Sequence, residues 1–225
     1  MALGKEREGG NYISFKPSIG MLTIKSDKSD PEAKPRTYTD QRTKEDVTVY
    51  ERRAPDIDGY VVGVQVDTSG DYGSQLKIVI RDAGTPDYTL PIPLNKSWGT
   101  KIAEALPNVK LDEKIYIKAF GDFVSPEGKD VPAGLSLRQN GERVPSHFNY
   151  KEGDKWVRKE GFPEYPASDT IPDKAKNPAK YTKFWADYYF SVEEFLIDWF
   201  EKNMTIEYTA PVKDTEEVEA EEVAF

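Results

Sequence analysis

"GYVVGVQVDT" (59–68), "SQLKIVIRDA" (74–83) and "YTLPIPLN" (88–95) are short apolar-alternating runs separated by Gly and Asp turn residues, and their reading decides the fold. Alternation puts Val62, Val64 and Val66 on one face of the first run and Leu76, Ile78 and Ile80 on one face of the second, as in a half-solvated antiparallel sheet. In "SWGTKIAEALPNV" (97–109), Ser97 can cap a short helix whose apolar side is Ile102, Ala105 and Leu106, and Pro107 stops it. "EKIYIKAFGDF" (113–123) and "AGLSLRQNGERVPSHFNY" (133–150) add two more strand regions, with Asn140-Gly141 as a tight-hairpin signal. Three meandering strands, a helix and two more strands give the element order of a mainly β OB-fold, a five-stranded Greek-key barrel. Closure of that barrel would remove the exposed edges of such short strands.

Upstream, residues 1–10 are charged and Gly-ended and read as a flexible N-terminus. "NYISFKPSIGMLTIKS" (11–26) reads as a hairpin with Ile13, Phe15, Leu22 and Ile24 among its buried candidates. "DKSDPEAKPRTYTDQRTKED" (27–46) reads as a long polar loop, and "VTVYERR" (47–53) as a strand pairing back onto the hairpin. Residues 11–150 are therefore expected to form the OB-fold domain with an N-terminal hairpin extension. Residues 151–210, rich in Pro, Lys and isolated aromatics, read as an extended arm plus a helix over 191–203. That helix carries a capping box, Ser191 with Glu194, and a packing face of Val192, Phe195, Leu196 and Trp199. "TIEYTAPV" suggests a last strand before a disordered acidic tail over 211–225.

A chain of 225 residues with 37% hydrophobic and 32% charged residues has enough material for a real core inside a polar, loop-rich globule. No stretch approaches the roughly 18 apolar residues of a membrane span, and "MALGKEREGG" lacks a signal-peptide core, so an intracellular protein is expected. With no Cys and one His, His147, the composition argues against disulfides, thiol catalysis, Cys-ligated zinc and a His cage. The nucleotide-binding and hydrolase motifs are missing, and the acid pairs Asp56/Asp58 and Glu193/Glu194 read as solvated charge. A non-enzymatic protein needing neither metal nor nucleotide cofactor follows as the expectation.

The formal net charge of −9 argues at first against a nucleic-acid partner. The last twelve residues, "DTEEVEAEEVAF", hold six of the 40 acids, which leaves 34 against 31 Lys+Arg in residues 1–213. The body is thus near neutral and combines bases with aromatics, the mixture that tracks phosphates and stacks bases of a single strand. Candidate DNA-binding residues are Lys77 and Arg81 on the second central strand, Tyr88 entering the third, and Lys118, Phe120 and Phe123 around the fourth. Arg138, Arg143, Phe148 and Tyr150 on the last hairpin and Trp156, Arg158 and Lys159 in "KWVRK" complete the set.

An OB-like body followed by acids and a terminal Phe resembles the single-stranded DNA-binding proteins of tailed bacteriophages and bacteria. The ending "EEVAF" has the acids, the aliphatic residue and the final Phe, with Ala224 where Pro often stands. "MALGK", "DGYVVGV", "KIVIRD", "LPNVKL" and "GLSLRQNGERVPSHF" are also similar to phage members, so the resemblance covers roughly residues 1–150 and the tail. It implies sequence-independent binding of single-stranded DNA in phage replication, recombination or repair, in the cytoplasm of the infected bacterial host. It also implies that Asp214, Glu216, Glu217, Glu219, Glu221, Glu222 and Phe225 moderate DNA binding and contact a polymerase, helicase or primase. The rival readings are a β-rich carbohydrate-binding or virion structural module with a solubilising tail, a carboxylate-pair hydrolase, and an acidic DNA mimic.

Overall fold

The computed structural model describes residues 11–69 and 73–208. The expectations for residues 1–10 and for the acidic tail, including Asp214, Glu216, Glu217, Glu219, Glu221, Glu222 and Phe225, lie outside the described residues.

The chain runs β1 (Asn11–Lys16), β2 (Met21–Ser26), β3 (Lys34–Thr39), β4 (Asp46–Ala54), β5 (Asp56–Asp67), β6 (Gln75–Arg81), β7 (Tyr88–Pro93) and α1 (Ser97–Ala105). There follow β8 (Ile115–Phe120), β9 (Phe123–Val124), β10 (Asp130–Val131), β11 (Gly134–Gln139), β12 (Glu142–Arg143), β13 (Asn149–Glu152), β14 (Lys155–Arg158) and α2 (Pro178–Asn203). The protein is mainly β, with α1 between the third and fourth central strands and a long helix at the C-terminal side.

Ten strands form one sheet in the order β12-β11-β8-β5-β6-β7-β1-β2-β4-β3. The central meander β5-β6-β7 is antiparallel, and β8 returns to pair with β5 through Asp56↔Lys118 to Gly59↔Ile115. Among the described residues the sheet is an open ladder and not a closed barrel. The reason lies in β1, which takes the edge of β7 in parallel, Asn11 opposite Tyr88 and Tyr12 opposite Thr89, and so occupies the edge that closure requires. Curvature nevertheless brings the β1–β2 turn onto the end of β8, since a Cβ on Gly20 would lie 2.2 Å from the Gly121 nitrogen. Gly20 has φ 61°, a conformation in which glycine carries no Cβ penalty.

Leu76, Ile78 and Ile80 are all buried, with Leu90, Ile92 and Ile13 on the adjoining strands. On β5 the simple alternation fails. A bulge between Val61 and Gly63 shifts the phase, so Val61 and Val64 are buried while Val62 and Val66 are only partly so. The stretch read as a loop contains β3, which pairs with β4 from Lys34↔Glu51 to Thr39↔Asp46. Pro35 is tolerated because β3 is the outermost strand, where a missing N–H need not interrupt a ladder on its far side.

Both helix starts differ from the sequence reading. Ser97 is the first helical residue and caps nothing; Thr100 Oγ1 instead donates to the carbonyls of Leu94 and Lys96, each at 3.0 Å. α2 begins thirteen residues before Ser191, at Pro178, and the Asn177 side chain accepts from the Lys180 amide at 3.0 Å. Asn at the cap followed by Pro at the first position is a strong helix start. Ser191 sits within the helix and donates to the Tyr188 carbonyl at 2.8 Å. Beyond α2, among the described residues of the expected last strand, one bridge forms, Ile206 with Val64, which exchange two backbone hydrogen bonds of 3.0 Å; Thr209 to Val212 lie outside the described residues. No helix among the described residues is long and apolar enough to cross a membrane.

α1 rests on the end of β7 at Gly99, where an added Cβ would lie 2.0 Å from the Pro93 carbonyl oxygen. Helix propensity alone favours Ala over Gly by about 1 kcal/mol, but the contact must open to admit a methyl group. Gly99→Ala is therefore expected to destabilise the fold by roughly 1–3 kcal/mol, measured by urea denaturation; a stabilised variant would show that the helix seat yields freely.

Candidate functional site

A cleft of about 1050 Å³ opens between α1, β11, the segment after β12, and the β13–β14 hairpin. Among the described residues its lining includes Lys101, Arg143, Lys151 and Lys159, all exposed, against a single carboxylate, Glu104. Two aromatic rings stand on the same hairpin, Tyr150 at 40% and Trp156 at 66% exposure. Lys151 lies opposite Trp156 in the β13–β14 register, with its Nζ 5.6 Å from the ring centroid.

The floor is built from α1 and the segment that leads into β13. Burial pushes the Glu104 carboxyl above its ordinary range, opposed by the Ser146 hydroxyl, which donates to it at 2.9 Å, and by the charges of Arg158 and Lys101. The Glu104 carbonyl receives the His147 amide at 2.7 Å, pinning the 143–149 segment to the helix. In the neutral imidazole, Nδ1–H donates to Asn108 Oδ1 at 2.8 Å and Nε2 accepts from the Lys159 ammonium. Burial, then the Lys159 charge, holds the His147 pKa below the usual value.

The structure gathers four of the sequence-derived candidates here: Arg143, Tyr150, Trp156 and Lys159. The others lie elsewhere or are engaged. Lys77 is ion-paired with Asp67 at 2.6 Å, and Arg81 grips Asp87 through two nitrogens at 2.9 and 2.7 Å. Tyr208 crosses this face and donates to the same Asp87 at 2.9 Å. Tyr88 is half-buried against the core. Lys118 is exposed on β8, opposite Asp56 and Ser136, while Phe120 meets the half-exposed Phe123 edge-on at 6.0 Å. Arg138 donates to the Gly141 carbonyl at 3.2 Å across its own hairpin. Arg158 donates to the Pro163 carbonyl and lies 6.0 Å over Phe162.

Phe148 is a correction in kind. The ring is fully buried, stacked on Phe162 at 5.3 Å and edge-on to Phe195 and Trp199 at 5.4 and 5.0 Å, so no base can reach it. Sequence reasoning also missed Lys101 and Lys151. Lys101 was legible as an exposed charge on α1, next to the buried Ile102. Lys151 required "KEGDKW" to be read as a hairpin, whose turn signal is Gly153 with φ 62°.

Among the described residues no group of three or more acids or His could hold a metal ion. The arrangement can do two things chemically: attract a polyanion and stack planar rings against it. No family model, curated protein or solved structure matches this chain.

The depressed pKa of His147 has a definite sign. The unfolded chain takes up a proton near pH 6.5 while the folded imidazole does not, so stability falls as pH drops below that value toward the folded pKa. Urea midpoints of the protein and its His147→Gln variant are expected to converge between about pH 7.5 and pH 5.5, the native protein losing more; parallel lines would mean the imidazole is not held neutral.

Proposed function

We propose that this protein is a non-enzymatic, sequence-independent single-stranded DNA-binding protein whose strand lies in the cleft between α1 and the β13–β14 hairpin. One observation carries the reading: four exposed cations and two exposed aromatic rings converge on one cleft with one carboxylate among them. A single strand matches that chemistry, with phosphates met by Lys101, Arg143, Lys151 and Lys159 and bases stacked on Trp156 and Tyr150. The strand order supports treating β5-β6-β7, α1, β8 and β11 as an OB-type module whose closing edge is taken by β1. On this reading the cleft lies at one end of that module and extends onto the hairpin after it.

The sequence resemblance adds the setting: phage DNA replication, recombination or repair in the infected bacterial host, with the tail acids and Phe225 contacting a polymerase, helicase or primase. A carbohydrate-binding module would also use exposed aromatics, but a neutral sugar gives four clustered cations no role. The two readings separate by salt dependence.

The test is anisotropy of a labelled oligothymidylate across a salt series. Four phosphate contacts on a single strand give a slope of log K against log salt of about −3. Trp156→Ala is expected to weaken binding by about 1–3 kcal/mol. Lys159→Gln should reduce the slope by about 0.7, whereas Lys77→Ala should leave both affinity and slope unchanged. No binding at low salt, or binding indifferent to salt, would remove the DNA reading.

A further inference from the structure

α2 is longer than its packing role requires. Its C-terminal half inserts Val192, Leu196 and Phe200 into the core. Its N-terminal half carries the same stripe forward as Tyr181, Trp185 and Tyr188, at the i, i+4, i+7 spacing of one helix face. Tyr165 lies over this stripe, its ring 5.6 Å from Trp185 and 5.9 Å from Tyr188, and is itself 58% exposed. Residues 174–183 contain four exposed lysines and no acid; Lys174, Lys176 and Lys180 precede or flank the stripe, while Lys183, two residues past Tyr181, faces away from it. Lys174 Nζ stands 5.8 Å over the Tyr181 ring. The flanking acids are Asp173, 3.6 Å from Lys176, and Asp187 on the helix.

This patch adjoins the cleft. Arg158, two residues beyond Trp156 on β14, stands with its charge near both the Tyr188 hydroxyl and the Glu104 carboxyl on the cleft floor, opposing the rise that burial gives each pKa. The path from Trp156 through Arg158 and Tyr188 to Tyr165 and the lysines is therefore continuous.

We infer that a single strand leaving the cleft continues along this face of α2, stacking on Tyr165 and passing its phosphates to the lysines, so that the arm and helix are a second segment of the binding track. The inference rests on the DNA reading of the cleft. Charge complementarity selects the occupant: a second copy of this chain would press Lys174, Lys176 and Lys180 against their own copies, whereas a polyanion releases counterions at each one.

A variant combining Tyr165→Ala, Lys174→Gln and Lys180→Gln alters exposed side chains only, or in Tyr165 a ring at the surface, and is compared with the native chain on two oligothymidylates. One is about 5 nucleotides long and fits the cleft alone; the other is about 16 and can span both segments. The short oligonucleotide is expected to bind both proteins equally, and the long one to lose about tenfold or more in affinity on the variant. The salt slope of the long one should also fall by about 1.4. Equal affinity of both proteins for the long oligonucleotide would overturn the inference while leaving the cleft reading intact. Failure of the short one to bind the native chain at low salt would overturn the cleft reading and the inference with it. A native dimer in light scattering that the variant dissolves would assign the face to self-association and overturn the inference.

Discussion

The burial of Phe148 is the constraint on which the C-terminal part of the molecule depends. Its ring joins Phe162 from the arm to Phe195 and Trp199 from α2, while its chain neighbours are His147 on the cleft floor and Asn149 at the start of β13. An aromatic side chain buries about 150–250 Å², which at about 25 cal/mol per Å² is roughly 4–6 kcal/mol as an upper estimate. That single ring thus ties three segments to the sheet. Without it the β13–β14 hairpin would be a pair of short strands outside the main sheet, and two-stranded hairpins are marginal in water. The rings and cations of the cleft are held in place by a residue that none of their ligands can touch.

The open ladder has its own logic. β1 lies parallel on β7 and carries β2, β4 and β3 outward, so the exposed edge moves from the heart of the fold to its periphery. At that periphery β3 carries Pro35 and the ion pair Arg36–Glu51 at 3.0 Å, while Arg52 on β4 holds Asp30. At the other end the terminal strand, β12, has two residues. Short, charged or Pro-bearing edges resist pairing with another chain. Protection that barrel closure would provide is achieved by the chemistry of the edges.

How much of this was legible follows the range of the forces involved. The buried face of β6, the Asn140-Gly141 hairpin, with φ 54° and 81°, and the place of α1 follow from neighbours in sequence, and pattern alone reveals them. The Val61 bulge, the edge strand around Pro35 and the parallel seat of β1 are set by partners far along the chain, which local periodicity does not see. The start of α2 is a different failure, because Asn177-Pro178 is a local signal; a capping box at Ser191 competed with it and lost to the aromatic stripe running back to Tyr181. For the candidate site, exposure was the hidden variable. Phe148 and Trp156 look alike in composition, yet one is fully buried and the other 66% exposed.

A chain of net charge −9 can still present a cationic cleft, because what an anion meets is the local excess after pairing. Asp67 takes up Lys77, and Asp87 takes up Arg81; in each case the partnership holds the carboxylate below its ordinary pKa. Asp82, similarly lowered, takes Lys114 at 2.5 Å. Six further acids stand in the last twelve residues, outside the described body. On the cleft floor the balance reverses: among the described residues its lining holds one carboxylate, Glu104, whose pKa burial raises. Acids that neutralise bases on the β6 face, and the excess of bases over acids in the cleft lining, together leave positive charge beside Trp156 and Tyr150. A count of charges along the sequence gives the sign of the whole molecule, and the pairing seen in the fold gives the sign of the site.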